Sequence, residues 1–125
     1  YYLKHLQTLI FRYIIYMYLI PSALNINNSK LFFSKIELSK ILACYSIGVS
    51  KGKWKDYAIF FDKREVSFYM FKHSLASPDC ILTKTNQHKK NIFIYKLEFG
   101  NKKKSKYLKI DDLLAIIRRR ELKII

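Results

Sequence analysis

The stretch Phe33-Ser34-Lys35-Ile36-Glu37-Leu38 constrains this chain more than any other, because it writes a helix start directly into the sequence. A serine three residues ahead of a glutamate forms a capping box, in which hydroxyl and carboxylate each satisfy a backbone donor left open at a helix start. Phe33 before the cap and Leu38 after it are placed to close a hydrophobic staple around the same entry. The helix should run from Ser34 to about Val49. Leu38, Ile41, Leu42, Tyr45 and Val49 recur at helical spacing and make one apolar stripe, while Lys35, Ser39, Lys40 and Ser46 fill the other side.

After a short connection from Gly48 to Gly52, the periodicity changes to that of strands. Trp54 to Phe61 and Val66 to Lys72, joined by Asp62-Lys63-Arg64-Glu65, read as a hairpin. Cys80 to Lys84 follows the Ser77-Pro78-Asp79 turn, and Ile92 to Phe99 follows a polar stretch. In that last run Phe93, Tyr95, Leu97 and Phe99 alternate with Ile92, Ile94, Lys96 and Glu98, so the first set should face the core. Lys106 to Lys109 suggests a short edge strand. Asp111 and Asp112 open a terminal helix as its caps, and Leu113, Ile116, Ile117 and Ile124 form its buried stripe. Helix, antiparallel strands, helix is the order of an α+β domain. We expect two layers, with an N-terminal helix, an antiparallel sheet of about four or five strands, and a C-terminal helix.

The polar break Asn25-Ile26-Asn27-Asn28-Ser29-Lys30 divides the chain into an extension, 1–30, and a single small domain, 31–125. Leu9 to Ile20 is apolar but contains Arg12 and falls short of the roughly 18–20 residues of a membrane span. It reads first as a spurious or poorly ordered extension, then as a packed or interfacial helix, and last as a signal or anchor.

The formal net charge is +15, which invites a polyanion partner. Lysine and arginine total 24, yet only five of these are arginines, whose fork suits phosphate best. Abundant Lys, Ile, Asn, Tyr and Phe with little Ala and Gly is what an AT-rich genome produces, and this accounts for the charge equally well. Cys44 and Cys80 lack any Cys-x-x-Cys or ligand spacing and read as buried reduced thiols in a cytosolic protein. His5, His73 and His88 are scattered. His73-Ser74 beside Asp79-Cys80 has no motif context, and Ser50-Lys51-Gly52-Lys53 lacks the glycine pattern of a phosphate loop. No catalytic residue, cofactor or metal is expected.

The capped helix, the lysine-containing turn after it and Trp54-Lys55-Asp56-Tyr57-Ala58 together resemble domain of unknown function 2794, a small alphaproteobacterial family, from about Phe32 to Lys123. Within that resemblance Trp54, Asp56 and Tyr57 are the most family-like residues. The strands after His73 match only in pattern, and the lysine-rich turn at Lys102 to Lys106 departs from it. The resemblance implies a fold and a bacterial cytosolic setting, and no activity.

The expected function is therefore a non-enzymatic binding module for itself or another protein. The alternative is sequence-blind RNA or DNA binding by the basic C-terminal half, through Lys102, Lys103, Lys104, Arg118, Arg119 and Arg120, with Trp54, Tyr69 and Phe71 as stacking platforms. A membrane partner is not expected.

Overall fold

A computed structural model describes residues 30–73, 76–87, 90, 92–100 and 104–123. The order is α1 (Lys35–Ser50), β1 (Asp56–Phe61), β2 (Glu65–Phe71), β3 (Cys80–Gln87), β4 (Ile92–Phe99), β5 (Lys104–Tyr107) and α2 (Ile110–Arg120). The five strands form one antiparallel meander in the order β1-β2-β3-β4-β5, so every strand pairs with its sequence neighbour. This is the expected α+β architecture.

α1 begins as its sequence dictates. Ser34 Oγ accepts from the Glu37 N–H at 3.1 Å, and Glu37 Oε1 accepts from the Ser34 N–H at 2.8 Å. Phe33 and Leu38, the two halves of the staple, are fully buried. The stripe is Leu38, Ile41, Leu42, Cys44, Tyr45 and Gly48, with Val49 half-buried at its end. Gly48 is there because Trp54 lies against it: a methyl group would stand 2.1 Å from Trp54 Cε3.

Trp54 precedes the first strand, which starts at Asp56, because its ring turns into the core. It stacks on Tyr45 at 6.1 Å, and its indole N–H donates to Asp79 Oδ2 at 2.9 Å. The β1–β2 connection is three residues, Asp62 to Arg64, one shorter than expected. Asp62 tightens it, since its Oδ1 accepts from the N–H groups of both Arg64 and Glu65. β3 continues past Lys84 to Gln87, where it pairs with the start of β4. The edge strand comes earlier than expected, at Lys104–Tyr107.

Both helices lie on one face of the sheet. α1 meets it through Tyr45 on Tyr57 and Phe68, and α2 packs on α1, β4 and β5. The core between the layers takes Val66, Phe68, Met70, Cys80, Leu82, Tyr95 and Leu97 from the strands and Ile110, Leu113, Leu114 and Ile117 from α2. Phe99 packs partly against it, as the alternation of β4 requires. Phe93 is on the same side, but at the strand's start it is 42 % exposed. Asp111 and Asp112 stand in the first turn of α2 without capping it. The cap position is Lys109, with no side-chain bond, and Asp111 reaches Lys40 of α1 at 2.8 Å. Ile116 is half-buried, Leu114 takes a core place, and Ile124 lies outside the described residues.

Candidate functional site

Two arrangements stand out by their chemistry. The first is enclosed between the layers. Glu37, already used as a cap, turns its carboxylate onto β3 and β4, where Lys84 Nζ donates to Oε1 at 2.7 Å and the Tyr95 hydroxyl donates to Oε2. Lys84 also donates to the Phe32 carbonyl at 3.2 Å and lies 4.3 Å from the centre of the Phe93 ring. Burial alone would raise the glutamate's pKa. The bonds from Lys84, Tyr95 and the Ser34 N–H outweigh it and hold the group below its ordinary value. Tyr95 shifts upward, through burial and through the carboxylate it faces. The buried Glu37–Lys84 ion pair, with the Tyr95 hydroxyl bonded to it, tethers α1 to the sheet.

The second is open. Strand alternation sends Phe60, Ser67, Tyr69, Phe71, Ile81, Thr83, Lys96, Glu98, Lys104 and Lys106 to the face opposite the helices. Phe60, Tyr69 and Phe71 form an aromatic strip on its β1–β2 side, with ring centres 5.1 and 6.3 Å apart. In the middle Ser67 and Thr83 share a hydrogen bond of 2.9 Å. Beside them Glu65, Tyr69, Ile81, Lys96, Glu98 and Lys104 line a shallow depression of about 200 Å³. Among the described residues no helix covers this face.

The three most family-like residues are architectural. Trp54 is fully buried, which removes it as a stacking platform. Asp56 Oδ1 accepts from the Tyr57 N–H at 2.9 Å, and Tyr57 stacks on Phe68 at 5.1 Å on the core side. Their spacing therefore sets how the chain leaves α1 and enters the sheet. A family model described as "Protein of unknown function (DUF2794)" matches residues 31–108. The chain belongs to this family. The DUF2794 match takes in α1 and all five strands and ends just before α2, and its description names no enzymatic activity. No curated protein and no solved structure matches the chain.

In this DUF2794 chain the residues named for polyanion contact are not gathered on one surface. Lys104 is on the open face of the sheet. Arg118, Arg119 and Arg120 are in the last turn of α2, on the helical layer, where Arg120 lies 4.9 Å from the centre of the Phe99 ring. Lys102 and Lys103 lie outside the described residues. The three arginines suit the negative end of the α2 dipole. Near the expected His73–Cys80 cluster, Asp79 is occupied by Trp54, and burial pushes the Cys80 thiol well up. Cys44 is likewise pushed up to about 11 by burial. Both cysteines are free and buried, which makes them unreactive. Ser74, His88 and His5 lie outside the described residues. Among the described residues no group of three or more His, Cys, Asp or Glu side chains is placed to hold a metal ion, and no helix is long and apolar enough to cross a membrane.

Phe60 was missed as a surface group. Its position opposite Tyr57 and Ile59 in the alternation of β1 was the signal that marks it as outward.

Proposed function

We propose that this chain is a non-enzymatic binding module that docks protein, itself included, on the open face of its sheet. One observation carries the reading: among the described residues both helices occupy the same face, and the face they leave holds an aromatic strip, a hydroxyl pair and lysines around one depression. Exposed aromatic surface with a polar rim is what protein interfaces use. The enclosed Glu37–Lys84–Tyr95 group, with its partners inside the fold, supports a structural role for that buried charge pair. The module belongs in the cytosol on this reading, supported by two free thiols of the kind a reducing compartment keeps.

A photo-crosslinking residue at Thr83, compared with one at Ser39 on the exposed side of α1, tests the docking face inside cells. A discrete protein adduct from Thr83 alone is the expected result. Adducts from Ser39 alone, or from neither position, would overturn it.

Sequence-blind nucleic-acid binding is the second reading, favoured by the net charge of +15. It requires affinity that falls steeply with salt, by orders of magnitude if about six or more phosphates are contacted. Filter binding of RNA and DNA at two salt concentrations decides it.

A further inference from the structure

The open face differs from the rest of the chain in its charge. Its strand residues carry three acids, Asp56, Glu65 and Glu98, and three lysines, Lys96, Lys104 and Lys106. A surface that sums to neutrality on a chain of net charge +15 attracts a polyanion weakly. It is also where a second, equally basic copy can approach with least repulsion. The signs are sorted as well as balanced. Asp56 and Glu65 lie on the β1–β2 side with the aromatic strip, whereas the lysines lie on β4 and β5, where they outnumber the one acid there, Glu98.

Sorting of this kind matches one symmetry. A two-fold axis in the plane of the interface and parallel to β3 lays β1 of one copy over β5 of the other, and β2 over β4. An axis perpendicular to the strands would lay β1 on β1 and set like charges together. The register then decides which rows meet. Phe60, Ser67, Thr83, Lys96 and Lys106 form one cross-strand row, and Ala58, Tyr69, Ile81, Glu98 and Lys104 form the next. About the axis parallel to β3, the Lys106 ammonium of one copy comes over the Phe60 ring of the other. Lys104 comes beside Asp56, and Lys96 beside Glu65. Ile81 and Thr83, on the central strand, meet their own counterparts. Phe60 is 60 % exposed, an unusual state for a phenylalanine on a sheet and one that such a contact removes.

We infer that the open sheet face is the interface of a two-fold symmetric homodimer, stacked face to face with β1 of each copy over β5 of the other. The inference rests on the docking face proposed above and names its occupant, a second copy of this chain. An interface of this kind is isologous, so each copy contributes both its acidic and its basic side.

Charge reversal tests it, because one side can be altered at a time. In the full chain, Lys104→Glu with Lys106→Glu makes both sides of the face acidic, and Asp56→Lys with Glu65→Lys makes both basic. Sedimentation of the wild type at concentrations on the order of 100 micromolar should give a dimer. Each double variant, folded by its thermal melt, should self-associate at least about tenfold more weakly, since like charges are juxtaposed. An equimolar mixture of the two should recover a heterodimer, because a net acidic face again meets a net basic one and only the contact between Lys96 and the substituted position 65 joins like charges. A monomeric wild type, double variants that dimerise as the wild type does, or a mixture that fails to associate would each overturn the inference. Adducts from Thr83 to a different protein, alongside a monomeric wild type, would sink the dimer and leave the docking face standing.

Discussion

Glu37 caps a helix with the same carboxylate that anchors it to the sheet, so its neighbours matter more than its exposure suggests. Lys84→Met removes the ammonium and leaves a buried carboxylate short of its partner, which should cost about 3–5 kcal/mol in denaturant unfolding at neutral pH. The acid limb adds a second readout. An unfolded glutamate titrates near about 4.3, and the folded value of Glu37 lies lower, so the unfolded state binds more protons through that window. Its contribution is complete above the unfolded value and is lost as pH falls through the folded one. Wild-type stability should therefore drop on acidification from about pH 5 towards pH 3, and the Lys84→Met chain should lose less over the same range. Equal acid losses in the two proteins would show that this carboxylate is not the titrating group. The cap itself was legible because Ser34 and Glu37 are three residues apart. Its partners, 47 and 58 residues away, lie beyond any local pattern. Strand parity was the trace of them: it sends Lys84 inward with Cys80 and Leu82, and Tyr95 inward with Leu97.

At the scale of elements, the junction between α1 and β1 is a close fit, with Trp54 against the bare Cα of Gly48. Gly48→Ala should destabilise by about 1–3 kcal/mol or more, because the added carbon would meet a tryptophan ring that Tyr45 and Asp79 hold in place. Trp54 is the single tryptophan, so a melt followed by its fluorescence reports the same site, with a red-shifted native emission expected in the variant. An unchanged melt would mean that the ring has room to move. Reversing Arg118, Arg119 and Arg120 to Glu should lower stability by about 1 kcal/mol through the α2 dipole. Any nucleic-acid affinity of the wild type should survive that reversal, and a flattened salt slope would instead put the triplet in contact with phosphate. The helix and strand bounds that periodicity gave correctly, α1 and β4 above all, belong to elements with one clearly apolar side. It erred at Trp54 and at Asp111–Asp112. Tertiary partners claimed Trp54 and Asp111, and β propensity and capping preference do not register such partners.

At the scale of the molecule, the order of elements was readable, whereas the surface was not. Which face of the sheet two helices share depends on packing that no single strand encodes, and the balanced charge of the other face appears only once five strands are in register. Among the described residues the core is already engaged at Leu31 and Phe33. Leu31 N–H donates to the Asp62 carbonyl at 2.8 Å, and Phe33 is fully buried. A chain of residues 27–125 should therefore keep a cooperative thermal transition in calorimetry, and loss of that transition would move the boundary upstream. The meander carries one more implication, for synthesis. Each strand pairs with the one made just before it, so the sheet can assemble as it leaves the ribosome. α1 cannot follow that schedule, because the ammonium that neutralises Glu37 is translated 47 residues later. The β1–β2 hairpin can cover the Tyr45 end of the α1 stripe first, and the capped end should stay uncovered until β3 has emerged. A pause in synthesis before β3 emerges should therefore lengthen the time for which that end of the helix is open to other chains.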